Sequence, residues 1–256
     1  GDGTRVESQD MPRVAYRRFK LPFINTSESN VRMKMAAASD GTLYLRTRQD
    51  TIPGYGAYGL GKLSPANQFS WVAMNDFPTG FNCTPSFNQS YNVAGWEARR
   101  VEDVGFCNIV SLAVSPDDEL YLIDSAMRAI LKVDRQGIVQ VVAGNGTPQG
   151  GAPDGSLANA GSVGYPTDIE FGPDGKLFFT TSGMVVPSQI RFVDTDGRLG
   201  TLAGRLLSDP LPQSQTRAAQ FAFDSRLSTL AVQSDGTVLW SEDFGRVGRV
   251  NVDGTI

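Results

Sequence analysis

The sequence has no histidine and only two cysteines among its 256 residues. Without histidine, the chain lacks the commonest general base, the usual Ser-His-Asp triad and the ligands of most zinc sites. Two cysteines cannot form a cysteine-rich metal site. No apolar run approaches the roughly 18 residues of a membrane-spanning helix. The net charge of −4 argues against nucleic acid or an anionic membrane surface as the main partner.

The chain does contain a repeated pattern. The two clearest copies are "LAVSPDDELYLIDSAMRAILKVDRQGIVQVVAG" and "IEFGPDGKLFFTTSGMVVPSQIRFVDTDGRLGTLAG". A first copy begins "AAASDGTLYLRTR", and a fourth reads "LAVQSDGTVLWSEDFGRVGRVNVDGTI". Each copy reads as strand, tight turn, strand, loop, strand, turn and strand. The pattern therefore predicts four antiparallel strands per unit.

The turn between the first two strands of each unit carries Asp and Gly, which tolerate the positive φ angles of a tight hairpin. We interpret these residues as structural, since their side chains bond to the local backbone. Calcium at a few of them is the alternative, although a single turn lacks the ligand density that calcium prefers. The predicted hairpin-turn residues are Asp40, Gly41, Asp117, Asp118, Asp174, Gly175, Asp235 and Gly236.

A single four-stranded sheet cannot cover both of its faces, so the units must stack, and radial stacking gives a β-propeller. The sequence thus predicts an all-β propeller with four visible blades. Approximate units are 30–75, 109–144, 166–204 and 227–256, with a long insertion at 76–108. The fourth copy lacks most of its last strand, and the chain begins within a linker-like segment. We therefore expect neighbouring blades to belong to the same propeller.

The motifs "VAGNG", "DGSLANAG", "YPTDIEFGPDG" and "RFVDTDG" resemble those of NHL-repeat β-propellers. The pattern is similar to the propeller of teneurins and of bacterial Tyr-Asp-repeat proteins. That resemblance implies about six blades and a module of a very large secreted or cell-surface protein. The second copy keeps Asp124 and Lys132 of the usual repeat but lacks its Asn, and the third lacks the Asp.

Other motifs have a simpler structural interpretation. "GNGTPQGG" (144–151) lacks the Lys-Ser/Thr ending of a phosphate loop and indicates an inter-blade loop. "GYGAYGLG" (54–61) indicates a flexible blade insertion, with a binding loop as the alternative. Arg99 and Arg100, flanked by acidic residues, indicate a solvated face of mixed charge. Trp96 is expected in blade packing, with partner binding as the alternative.

Cys83 and Cys107 both lie in the long insertion, which has little strand periodicity and many turn-forming residues. A disulfide between them would stabilise this segment, and it would persist in an oxidising compartment. The alternative is two separate buried thiols.

The leading functional hypothesis is a non-catalytic, extracellular interaction or scaffold module without a cofactor. Its partner would be a protein or other domains of the same chain, without nucleic acid and without membrane insertion. The alternative is a metal-dependent, lactonase-like hydrolase on a propeller scaffold. An RNA-binding propeller needs a basic face, which the acidic balance disfavours.

Overall fold

The computed structural model describes residues 34–52, 55–73, 90–148, 151–182, 188–204, 217–223 and 225–256. Their strands form four antiparallel sheets, three of four strands and a last one of three, each in sequence order. No helix in this part of the chain is long and apolar enough to cross a membrane. The described helical structure is one short helix, α1 (Arg217–Gln220), and two 3-10 turns. The all-β prediction is confirmed.

We refer to the four sheets as blades 1 to 4. Blade 1 contains β1 (Met35–Ala37), β2 (Leu43–Ile52), β3 (Tyr55–Leu63) and β4 (Phe69–Ala73). Blade 2 contains β5 (Ile109–Val114), β6 (Leu120–Asp124), β7 (Ala129–Val133) and β8 (Val139–Ala143). Blade 3 contains β9 (Pro166–Phe171), β10 (Leu177–Thr181), β11 (Gln189–Val193) and β12 (Leu199–Ala203). Blade 4 contains β13 (Leu227–Val232), β14 (Val238–Glu242) and β15 (Val247–Val250).

The first strand of each blade contacts the first strand of the next, in the order β1, β5, β9 and β13. These strands are therefore the innermost ones, and the blades radiate from them as in a propeller. Three apolar layers fill the spaces between successive blades. Strands covered on both sides carry continuous apolar runs, and all five residues of β10 are buried.

Blade 1 differs from the sequence interpretation at "GYGAYGLG" (54–61), which we expected to be a flexible insertion. Residues 55–61 instead belong to β3, which pairs with β2 over most of its length. Glycine weakens a strand because it offers no side chain to pack. Here a neighbouring aromatic ring compensates, since a Cβ on Gly61 would lie 2.5 Å from the Phe69 ring. The ring occupies the space that a side chain would fill.

The described part of the long insertion, residues 90–108, packs against blade 2. Its 3-10 turns, Val93–Trp96 and Val101–Asp103, bury Val93, Trp96 and Val101 in the layer between blades 1 and 2. Trp96 is 6% exposed and meets Phe106 edge-on. It therefore serves blade packing, and the alternative that it contacts a partner is wrong.

The inter-blade linkers repeat one hydrogen bond. In each of blades 2, 3 and 4, a linker N–H donates to the carbonyl of the glycine in the turn after the third strand. The pairs are Val101 with Gly137 (2.8 Å), Ala158 with Gly197 (2.9 Å) and Ala218 with Gly254 (3.1 Å). The linkers thus follow the same repeat as the strands, although their sequences differ.

Candidate functional site

A buried carboxylate joins all four blades at the innermost strands. Asp168, on β9, is 7% exposed. Its Oδ1 accepts hydrogen bonds from Ser111 Oγ of blade 2 (2.5 Å) and from Lys34 Nζ next to blade 1 (3.4 Å). Its Oδ2 accepts one from the Leu230 N–H of blade 4 (3.0 Å). We call these four residues the axial cluster.

In the axial cluster, the Asp168 carboxylate connects neighbouring blades by hydrogen bonds. Both oxygens of Asp168 accept hydrogen bonds from other blades, and the partly exposed Lys34 ammonium lies 3.4 Å from Oδ1. Glu170 lies two residues along the same strand. Burial and the negative Asp168 raise the pKa of Glu170. Within the described ranges, no group of three His, Cys, Asp or Glu side chains could hold a metal ion.

A second buried carboxylate, Asp124, ends β6 and is fully buried. Its oxygens accept hydrogen bonds from four backbone N–H groups: those of Cys107 (2.6 Å) and of Asn108, Ala126 and Met127 (3.1 Å each). Burial raises the pKa of Asp124 to about 6, against the opposing effect of these four donors. The side chain ties the end of the long insertion to the turn after β6.

The predicted turn residues lie in the four turns that follow the innermost strands. Asp40, Asp174 and Asp235 each accept a hydrogen bond from the backbone N–H two residues later, at 2.7, 3.2 and 2.9 Å. The adjacent glycines have φ angles between 79° and 89°, and Asp118 takes the equivalent left-handed position with φ of 58°. The residues of these turns that have a positive φ are Gly41, Gly175 and Gly236, and Asp118 in the second copy.

Asp118 also makes a contact that sequence reasoning missed. Its carboxylate accepts hydrogen bonds from the Ser39 N–H (2.7 Å) and the Ser39 hydroxyl (2.5 Å), so it joins blade 2 to blade 1. These bonds lower the pKa of Asp118. The backbone carbonyl of its exposed neighbour Asp117 accepts a hydrogen bond from Arg135 Nη2 (2.5 Å).

Arg128 is a further buried charge that the sequence did not single out. It is 2% exposed, and Nη2 donates to the Tyr165 hydroxyl at 3.2 Å. The guanidinium also lies 4.8 Å from the centre of the Tyr165 ring, a cation–π distance. Nη1 reaches the Gly146 carbonyl at 3.5 Å. Arg128 thereby fixes the inter-blade loop that contains "GNG".

The cysteine prediction falls partly outside the described residues. Cys83 is not among them, whereas Cys107 is 6% exposed and precedes β5. The Cys83–Cys107 bond therefore stays a prediction. Digestion of the unreduced protein should release one peptide pair linked through these residues, because closing a loop of about 25 residues stabilises the chain by roughly 3 kcal/mol in the chain-entropy model. Two thiols that alkylate freely in denaturant without reductant would contradict it.

Together, the radial sheets and the axial cluster define a β-propeller. No family model matches the chain. Teneurin-m of Drosophila melanogaster is 36% identical over 97 residues, which is 36% of this chain and 4% of that protein. An auxiliary nutrient binding protein from Bacteroides thetaiotaomicron superposes with a TM-score of 0.50 at 15% identity, over 82% of this chain and 46% of that one. Virginiamycin B lyase from Staphylococcus aureus gives 0.44 at 13% identity, over 86% and 55%.

The chain thus spans about half the length of these two solved structures and a small fraction of Teneurin-m. At these identities the structural likeness concerns the fold alone.

Proposed function

We propose that this chain is a non-catalytic interaction module of a larger protein, with the open face of blade 4 as its contact surface. One observation carries the proposal. Val247 on β15 is 73% exposed, whereas Ile130 and Ile190, at the equivalent positions of blades 2 and 3, are fully buried. In those blades the position packs against the next blade.

The open face of blade 4 consists of the side chains that point away from blade 3. Leu230, Val238 and Trp240 fill the layer toward blade 3. Because side chains alternate along a strand, their neighbours point the other way. Strand register places these neighbours side by side across the sheet. The open face comprises Thr229, Ala231, Leu239, Ser241, Val247 and Arg249.

The partner that fits this face is another antiparallel sheet with an apolar face. At each existing blade interface, the incoming blade supplies a large apolar residue from its first strand, namely Leu112, Ile169 or Leu230, and each is at most 7% exposed. Met35 holds the equivalent position in blade 1 and is 58% exposed. Blade 1 and blade 4 thus offer the two complementary halves of one interface. Further blades of the same larger protein would use both halves.

We place this module in an extracellular or cell-surface protein. The similarity to Teneurin-m over 97 residues supports this location, as does the resemblance of the repeat motifs to teneurin-like propellers. The alternative, a metal-dependent hydrolase, would need free carboxylate ligands on the propeller axis. The engagement of both Asp168 oxygens by other blades favours the interaction module.

Introducing a charge into the open face should weaken self-association. When the chain is studied by itself, a second copy can cover this face. We expect the purified chain to associate in a concentration-dependent manner, and Val247→Asp to weaken that association roughly tenfold or more, because a carboxylate would be desolvated at the contact. Analytical ultracentrifugation measures the effect. The midpoint of unfolding should stay within a few degrees, since surface substitutions cost roughly 0.5 kcal/mol or less.

Val252→Asp provides the matched control. Val252 is 71% exposed but lies in the turn after β15, outside the sheet face. This variant should associate like the unmodified chain. A chain that stays monomeric at every concentration, or an equal effect of both substitutions, would remove the support for this surface.

A further inference from the structure

A cavity opens where the innermost strands of all four blades end. It has a volume of about 550 Å³, within the roughly 300–1,000 Å³ typical of binding pockets. The last residues of these four strands line it: Ala37, Val114, Phe171 and Val232. This site lies in the turns that follow the innermost strands and shares no residue with the open face of blade 4.

The walls of the cavity are mainly apolar, and its rim is polar. Pro116 and Pro173 extend the apolar surface into the turns. Ser39 and Asp118 meet at the rim, where their hydrogen bonds join blades 1 and 2. Phe171 is held by an edge-on contact with Tyr121, with ring centres 4.9 Å apart. These contacts form the lining before any ligand arrives.

The turns around the mouth carry mainly negative charge, although two of their carboxylates are paired with lysines, Asp174 with Lys176 and Glu119 with Lys132. The five-residue turns 38–42, 115–119, 172–176 and 233–237 contain six carboxylates and a single ammonium group. Hydrogen bonds from the Ser39 hydroxyl and N–H lower the pKa of Asp118, and the Thr237 N–H lowers that of Asp235, so both stay ionised in mild acid. The charged residues are Asp40, Asp117, Asp118, Glu119, Asp174, Asp235 and Lys176.

The arrangement selects the chemistry of its occupant. Negative carboxylates grouped around a mainly apolar cavity concentrate cations at its mouth. The carboxylates belong to four separate turns, and three of them are bonded to their own turn, so a ligand must span the mouth to meet several of them. An apolar side chain is needed to displace water from the walls.

We infer that this cavity is a docking site for a basic protein segment, which inserts one apolar side chain between the four strand ends while its cationic residues face the surrounding turns. The site recognises charge and one apolar group, so the flanking sequence of the partner is free to vary. It gives the module a second contact surface that is independent of the open face of blade 4.

The experiment uses a fluorescent peptide, acetyl-Lys-Arg-Leu-Lys-Arg-amide, titrated with the full chain. We expect measurable binding at about 0.05 M salt and at least a roughly fivefold loss at about 0.5 M salt, where screening is strong. Ala37→Trp, which fills the cavity from an exposed strand end, should weaken binding about tenfold, and Ser234→Trp provides a second filling variant from another blade. Circular dichroism checks that both variants fold.

Charge and apolar content are tested separately. Asp117→Asn, in one of the four turns at the mouth, should weaken binding roughly threefold, whereas Asp196→Asn, in an exposed turn outside these four, should leave it unchanged. The peptide with Gly in place of Leu should bind about tenfold more weakly. The proposal is overturned if the peptide does not bind, if both filling variants bind it normally, or if the Gly peptide binds equally well. Equally tight binding of hexylamine alone would also overturn it, since the site would then recognise a small cation.

Discussion

Replacing Asp124 with alanine is expected to lower the free energy of unfolding by about 4 kcal/mol or more, enough to unfold a marginally stable chain. The four N–H groups that Asp124 accepts belong to residues 107, 108, 126 and 127. Alanine would leave all four without their acceptor, and each unsatisfied buried donor costs about 1–3 kcal/mol. Urea unfolding followed by circular dichroism measures the change.

Asparagine at this position separates the hydrogen bonds from the charge. Oδ1 accepts three of the four N–H groups, and Oδ2 accepts only that of Cys107. An amide oxygen in the place of Oδ1 would keep three bonds, so Asp124→Asn should cost roughly 1–2 kcal/mol, clearly less than alanine. Asp196→Ala, in an exposed turn, should cost about 0.5 kcal/mol or less. Equal losses for the alanine variants at 124 and 196 would contradict the predicted role of Asp124.

The pH dependence provides a second readout of the same side chain. Burial raises the pKa of Asp124 to about 6, above the ordinary aspartate value of about 4. Between these values the folded chain binds the proton more tightly than the unfolded chain does, so this group's contribution falls as the pH rises from about 4 to about 6, by up to roughly 3 kcal/mol. Asp124→Asn lacks this fall. The stability deficit of Asp124→Asn should therefore be smaller at neutral pH than in mild acid.

Local sequence predicted the parts of the propeller that local chemistry decides. The Asp-Gly turns, the apolar strands after them and the four-fold repeat all depend on neighbouring residues. Blade 4 shows the same dependence on local sequence. The turn after β15 forms as in blades 2 and 3, with the Gly254 N–H donating to the Asn251 carbonyl at 2.8 Å. The three-stranded sheet agrees with the shortened fourth copy.

The parts that sequence reasoning missed depend on distant residues. Asp168 reads as an ordinary strand residue in "PTDIEF", because its partners Ser111 and Leu230 are 57 and 62 positions away. The glycine-rich segment of β3 suggested a loop, because the Phe69 ring that covers Gly61 comes from the next strand. A signal did exist for Asp168, since β9 carries two carboxylates, Asp168 and Glu170, whereas the other three innermost strands carry none. A single sequence does not reveal which residues would satisfy it.

Asp168→Ala should lower the free energy of unfolding by about 3 kcal/mol, because the Ser111 hydroxyl and the Leu230 N–H would lose their acceptor inside the protein. Lys34 adds little, since its side chain is one-third exposed and exposed ion pairs contribute about 0–1 kcal/mol. Lys34→Met should therefore be nearly neutral. Urea unfolding of the three variants Asp168→Ala, Ser111→Ala and Lys34→Met tests this order.

A double-mutant cycle and amide exchange identify the cause of that loss. Ser111→Ala and Asp168→Ala should be non-additive by about 1–2 kcal/mol, as expected for side chains in direct contact. The Leu230 amide donates to Asp168 Oδ2, so its hydrogen exchange should accelerate in Asp168→Ala and stay slow in Lys34→Met. Additive losses with an unchanged Leu230 amide would show that the carboxylate does not join the blades. Faster hydrogen exchange of the Leu230 amide, together with an unaltered far-ultraviolet circular dichroism spectrum, would show that the sheets persist while the hydrogen bonds between blades at Asp168 are lost.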